Sequence, residues 1–197
     1  MLRLLTPSDY RPMPWKNGGG RTIEIAAHPV GATLDGFLWR VSIADIERDG
    51  PFSMFPGVTR DLLLLAGAGI ELDIDANPPL RLTERFQRAH FEGESRVDCR
   101  LLAGPTRDFN VVTHRDSVRA EVMARPLVGS MVIFPEVGVE WLIHVFSGHV
   151  SARGDTELSA VGGESLYLDF REGDGTRVVL EGGGELVLVK FLPVVDV

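Results

Sequence analysis

Glycine and proline cut this chain into short apolar runs from one end to the other. Twenty-two glycines and twelve prolines do the cutting, and the intervals they leave suit strands better than helices. Runs at Ile23–Ile25, Phe37–Ile43, Leu62–Ile74, Phe109–Thr113, Val118–Met123, Met131–Phe134, Glu140–Val150, Ser165–Phe170, Val178–Leu180 and Glu185–Leu192 read as strands. Many of them carry β-branched or aromatic residues, whose side chains pack well on a pleated surface. Helical periodicity is weak, with Thr83–Arg88 the one short candidate. An all-β barrel or sandwich is therefore expected.

Two segments suggest an internal repeat. LLLLAGAGIEL (Leu62–Leu72) and LIHVFSGHVSA (Leu142–Ala152) both read as a strand, a small-residue turn and a second strand, with the turns at Gly67 and Gly148. A Gly-Glu pair follows each, Gly93-Glu94 and Gly163-Glu164. Any hairpin yields a strand–Gly–strand pattern, so the second landmark gives the repeat its weight. Two halves follow, 1–125 and 126–197, with Arg125-Pro126 as the candidate divide.

Charge and cysteine content narrow the partners. Twenty-eight acidic against twenty basic side chains give a formal charge of −8, and the arginines are scattered rather than gathered. Nucleic acid and anionic membrane surfaces would repel such a chain, so neither is expected as a partner. Cys99 is the single cysteine, which excludes an internal disulfide and a multi-cysteine metal site. Met1-Leu2-Arg3-Leu4-Leu5 runs at once into Pro7 and Asp9, unlike a signal peptide, and a cytoplasmic location is expected. No apolar run approaches the ~20 residues that span a bilayer.

The chemistry-bearing segments begin with DGPFSMFPGVTR, Asp49–Arg60. Loops are usually polar because water satisfies their backbone, so one stiffened by Pro51 and Pro56 and carrying Phe52, Met54 and Phe55 is unusual. Such a loop folds over a core or rims a binding site. It ends on Arg60, whose planar fork is suited to hold a carboxylate with two parallel hydrogen bonds. PWKNGGG (Pro14–Gly20) lacks the Gly-Lys-Ser/Thr ending of a phosphate loop. It reads as a turn into the strand Thr22–Ile25, either with Trp15 in the core or, the preferred reading, with Trp15 and Asn17 at the mouth where Arg60 lies.

Strand parity adds further candidates. Alternation along Phe37–Ile43 sets Arg40 and Ser42 on the face opposite Trp39, Val41 and Ile43. That face meets either solvent or the barrel interior, and in the second case Arg40 becomes a second cation for an anionic ligand. In RDFNVVTHR (Arg107–Arg115), Asp108, Asn110, Val112 and His114 share a side, so Asn110 and His114 are candidates to point together into a pocket. The five histidines, His28, His90, His114, His144 and His149, include no HxH pair with a nearby carboxylate. His144 and His149, an odd number apart, would face opposite sides of one strand and are expected to be separated by the turn near Gly148. No metal and no cofactor are expected, Cys99 reads as structural, and there is no Gly-x-Ser-x-Gly elbow.

Taken together, PWKNGGG, Trp39-Arg40-x-Ser42, DGPFSMFPGVTR, FEGE (Phe91–Glu94) and GPTRDFNVV (Gly104–Val112) resemble the HutD/Ves family, in order and over most of Met1–Arg115. The second half matches in general pattern only. The resemblance implies a bicupin across 1–197: two small jelly-roll or β-barrel modules packed in one chain. It also implies a bacterial protein linked to histidine utilisation, with a pocket for a small pathway metabolite such as urocanate or N-formylglutamate. The family pattern carries a second arginine in the strand where this chain has His114. A cupin lacking its metal ligands keeps the barrel and loses the usual chemistry.

The leading expectation is a protein that binds a small anionic metabolite and senses or moderates histidine utilisation. Its ligand-binding residues would be Trp15, Asn17, Arg40, Ser42, Phe52, Arg60, Asn110 and His114. The alternative is a metal-independent hydrolase or isomerase with His114 or Glu24 as general base. A third reading makes the aromatic loop a docking surface. Oligomeric state is open, a homodimer included.

Overall fold

The computed structural model of the protein describes residues 1–15, 18–33, 36–75, 77–170 and 176–194. Sixteen strands and no helix form among the described residues. They are β1 (Leu2–Leu5), β2 (Arg11–Pro14), β3 (Gly20–His28), β4 (Trp39–Ile46), β5 (Gly50–Pro51), β6 (Val58–Ala66), β7 (Ile70–Ile74) and β8 (Leu80–Leu82). The series continues with β9 (Arg88–Glu92), β10 (Val97–Leu101), β11 (Thr106–His114), β12 (Val118–Ile133), β13 (Glu140–Arg153), β14 (Glu157–Val161), β15 (Ser165–Asp169) and β16 (Val178–Pro193). No helix among the described residues is long and apolar enough to cross a membrane.

The chain divides into two compact units, one of residues 11–117 and one of residues 1–10 with 118–197. In the 11–117 unit, a six-stranded antiparallel sheet runs β2-β3-β4-β11-β6-β9, and a four-stranded sheet runs β5-β10-β7-β8. Their facing sides share one core. Ile46, Leu62, Leu64, Ala89 and Phe91 come from the larger sheet; Ile70, Leu72, Leu82, Val97 and Cys99 come from the smaller. Alternation along each strand makes this possible, since residues two apart line one side. Cys99 belongs to this packing, and burial, helped by the charges of Asp108 and Asp49, pushes its thiol up to about 12.

The other unit is a single sheet in the order β1-β15-β13-β16-β12, with β14 on the far half of β13. Its strands are long: β12 and β16 pair without a break from Val118↔Pro193 to Ile133↔Val178. Leu127, Ile143, Val145, Val150, Leu166, Leu180 and Leu186 gather in its core. At its start, the Tyr10 hydroxyl donates to Gly163 O at 3.0 Å and lies 2.9 Å from Ser165 Oγ. Ser165 Oγ is also 2.9 Å from His144 Nδ1.

Several expectations change at this level. Thr83–Arg88 forms a turn, not a helix: Gln87 Oε1 accepts from the backbone N–H of Thr83 at 2.6 Å and of Glu84 at 2.9 Å, and Arg88 already opens β9. A side chain that captures backbone donors locally competes with the helix ladder. The repeat reading also changes. The Gly67 corner carries the chain from one sheet to the other instead of closing a hairpin, because β6 and β7 lie in different sheets. Gly67 has φ +103°, and a Cβ there would meet Pro105 O and Thr106 at 2.7 Å. Gly148 is not a turn at all; β13 runs straight through it.

Arg125-Pro126 likewise sits inside β12, opposite Leu186 and Glu185. Proline is tolerated there because β12 is an edge strand. A bulge between Val145 and Ser147 shifts the parity of β13. Ile143 and Val145 face the core before it, Val150 and Ala152 after it. His144 and His149 therefore fall on the same side of the strand, the first buried and the second exposed.

Candidate functional site

The larger sheet of the 11–117 unit aligns its inward residues in rows. Arg40, Val112, Arg60 and Phe91 are successive partners across β4, β11, β6 and β9. The next row is Glu24, Ser42, Asn110, Leu62 and Ala89, and the next holds Thr22, Ala44, Asp108 and Leu64. Polar side chains thus occupy one region of a face that is otherwise core. A cavity of about 500 Å³ opens over them, lined by Met13, Trp15, Ser42, Phe52, Arg60 and Asn110 among others.

Arg60 is the centre of this site. It is the third residue of β6, buried within a strand whose inward neighbours are Leu62 and Leu64. Its guanidinium carbon lies 5.2 Å from the Phe52 ring centre, 5.0 Å from Phe91 and 5.9 Å from Phe55. Aromatic faces stabilise a cation without neutralising it. Nη1 donates to Ser53 O and Nη2 to Asn110 Oδ1, both at 3.3 Å. Nε is buried with no hydrogen-bond partner. Desolvation is the main reason its pKa falls to about 10; Asp108 works against the fall and Arg40 adds to it.

Asp108 completes the floor. It is buried on β11 two residues before Asn110, whose Nδ2 donates to Asp108 Oδ1. Burial raises its carboxyl to about 7, against the pull of Arg60 and of the Ala44 backbone, with Asp45 adding to the rise. Asn110 therefore accepts from the cation and donates to the acid at once.

The loop at Asp49–Arg60 forms one wall. Gly50 and Pro51 pair with Cys99 and Asp98 of β10. Phe52 N donates to Val97 O at 2.8 Å and Phe55 N to Gly93 O at 2.7 Å. Held by its backbone, the loop turns Phe52 and Phe55 into the cavity and leaves Met54 62% exposed. Trp15 supplies the facing wall, its Nε1 donating to Thr22 Oγ1 at 2.8 Å. Asn17 lies outside the described residues.

Of the residues singled out in the sequence, Trp15, Ser42, Phe52, Arg60 and Asn110 line this cavity together. Arg40 does not: its Nε donates to Glu24 Oε2 at 2.7 Å, and both side chains are largely buried. The same contact occupies Glu24, the alternative general base. His114 also lies outside the lining. Val112, Phe55 and Val58 pack into an apolar cluster just before it, and the His114 ring rests beside Gly57. Its parity with Asn110 is right, but the strand ends one step beyond that apolar layer. Asp108, Phe55 and Phe91 are the residues that sequence reasoning passed over. Asp108 shares the parity of Asn110, and Phe91 belongs to the FEGE motif.

The donor set does not suit a divalent metal. Among the described residues the cavity presents a guanidinium, one carboxylate and no imidazole, and no three His, Cys, Asp or Glu side chains gather anywhere as a metal site. It suits a small anion instead.

An all-β chain with a cavity over one face of its larger sheet is cupin-like in fold. The cupin 2 conserved barrel domain protein from Leptotrichia buccalis superposes with a TM-score of 0.57 at 10% identity, covering 93% of this chain and 96% of that one. The chain belongs to the HutD family, whose family model matches residues 7–188. HutD from Pseudomonas fluorescens SBW25 (formate condition) superposes with a TM-score of 0.81 at 31% identity, covering 99% of this chain and 100% of the other. An uncharacterized 21.2 kDa protein in the hutC 3' region of Pseudomonas putida is 39% identical over 193 residues, 97% of each chain.

Proposed function

We propose that the protein binds a small carboxylate metabolite of histidine utilisation and thereby senses or moderates that pathway. One observation carries the reading: Arg60, buried among three aromatic rings and sharing Asn110 with Asp108, lines a partly open cavity of about 500 Å³. A carboxylate is the ligand that a guanidinium holds with charge-assisted, paired hydrogen bonds. The cavity volume falls within the range of small-molecule sites. The place of the Pseudomonas putida relative in the hutC 3' region accords with a role in this pathway. Urocanate and N-formylglutamate are the candidate ligands, with Trp15 and Phe52 as apolar walls and Asn110 and Ser42 as polar contacts. In this reading each compact unit is a cupin module, the chain is a bicupin, and it works in the cytoplasm.

Calorimetric titration with urocanate, N-formylglutamate and formate tests the idea. Binding by the wild type that Arg60→Met abolishes supports it. Equal binding by both proteins would remove Arg60 from the site, and no binding of any of the three acids would remove the function.

A further inference from the structure

We propose that Asp108 is the proton-accepting half of this site, so that the cavity takes up a small carboxylate together with one proton from solvent. The proposal rests on the carboxylate-binding reading above and adds to it the charge state in which the ligand is held.

Geometry carries the argument. Among the described residues that line the cavity, Arg60 and Asp108 are the charged ones, both are buried, and Asn110 joins them. The protein itself therefore brings one cation and one acid to the site. A carboxylate arriving at Arg60 brings a second negative charge to the same partly open cavity, whose floor holds the buried Asp108 carboxyl. Two carboxylates cannot both stay ionised at close range in a low dielectric; one takes a proton.

The surrounding groups offer no other way to balance the charge. On β4, Asp45 adds negative charge near Asp108 and is itself held by Arg21 at 2.7 Å and Arg107 at 2.6 Å. Arg40, also on β4, is committed to Glu24 of β3. From the smaller sheet, Cys99 remains a neutral thiol. No second cation faces the incoming anion among these elements. Asp108 is also the easiest group to protonate, since burial has already lifted its carboxyl to about 7. Once protonated it gains an O–H donor. The ligand would then meet the N–H groups of Arg60 and the O–H of Asp108 within one cavity, so a monoanion is preferred to a neutral amide of the same size.

Titration of the full chain with sodium formate between pH 6 and pH 8.5, in phosphate and in Tris buffers of different ionisation heat, counts the protons taken up. The expected result is a Kd that is level below about pH 7 and weakens by up to about tenfold per pH unit above it, with uptake approaching one proton per formate. Asp108→Asn mimics the protonated acid; it should keep the low-pH affinity and lose both the pH dependence and the uptake. Formate binding with one Kd across the range and no proton uptake overturns the proposal and leaves the carboxylate site standing. No binding of formate, urocanate or N-formylglutamate at any pH overturns the carboxylate reading and this one with it. The wild-type proton count decides the matter even if Asp108→Asn fails to fold.

Discussion

Arg60 and Asp108, on the neighbouring strands β6 and β11, hold the same side chain between them: Asn110 accepts from Arg60 Nη2 at 3.3 Å and donates to Asp108. The arrangement fixes the guanidinium through one edge and leaves Nε without a partner. A cation held this way is pre-oriented for a planar anion, and little side-chain entropy remains to be lost on binding.

Arg60→Lys should therefore behave as a severe change. Lysine keeps the charge but loses the fork and the stacking on Phe52 and Phe91. A charge-assisted bond contributes about 1.5–3 kcal/mol, so formate or urocanate affinity should fall roughly tenfold or more by calorimetry. Lysine binding as tightly as arginine would mean that point charge alone is read.

Asn110→Leu tests the bridge. Leucine has a similar volume but satisfies neither neighbour, so it orphans Arg60 Nη2 and an oxygen of Asp108. Each buried orphan costs about 1–3 kcal/mol, less where Asp108 escapes by taking a proton. Urea denaturation at pH 8 should show a lower midpoint at unchanged m, and the deficit should shrink at pH 6. A midpoint equal to wild type at both values would show that the bridge contributes nothing.

How much of this was legible in the sequence depends on which force placed each residue. Parity grouped Ser42 with Arg40 and Asn110 with Asp108, because alternation along a strand is a local rule, but which face of β4 and β11 turns toward the smaller sheet is a tertiary fact. Parity holds at Arg40 and His114 too, yet neither lines the cavity. Arg40 is consumed by Glu24 from another strand, and His114 lies past an apolar layer that Phe55 and Val58 build with Phe37 and Val112. Both are tertiary facts with no local trace. The all-β class was legible from glycine and proline spacing. The Gly67 corner and the continuous β13 were not, since one strand–Gly–strand pattern served a change of sheet and the other an uninterrupted strand. Asp108 carried the right parity, yet only burial beside Arg60 distinguishes it from an ordinary exposed aspartate.

Gly93→Ala should damage the site from a distance. The Gly93 backbone accepts from Phe55 N at 2.7 Å and donates to Val58 O at 2.8 Å. A Cβ at this position would overlap the Phe55 carbonyl oxygen and the Val58 side chain. The wall that holds Phe55 against Arg60 must then shift. Crowding of this kind costs about 1–3 kcal/mol. A lower Tm together with weaker formate binding is expected; a normal Tm with normal affinity would show that the loop moves freely.

Asp108 and His144 give the two compact units opposite pH dependence. Burial raises the Asp108 carboxyl from 3.8 to about 7, so the folded state holds a proton that the unfolded chain has released. Its contribution is fully present below about pH 4 and is lost as pH rises through about 7, worth up to about 4 kcal/mol. Burial lowers His144 from 6.5 to about 4, so its contribution is present above about pH 6.5 and is lost as pH falls through about 4, worth up to about 3 kcal/mol. Between about pH 4 and pH 6.5 the two slopes oppose each other, so wild-type urea midpoints should change little there, and His144→Gln should leave midpoints that fall as pH rises. Asp108→Asn should leave midpoints that climb from about pH 4 to pH 6.5 and level beyond it. Hydrogen exchange, corrected for intrinsic rates, should place the acid-side loss of protection in β13 and β15 and the neutral-side loss in β6 and β11. Identical pH slopes in all three proteins would mean that neither buried group titrates between these limits.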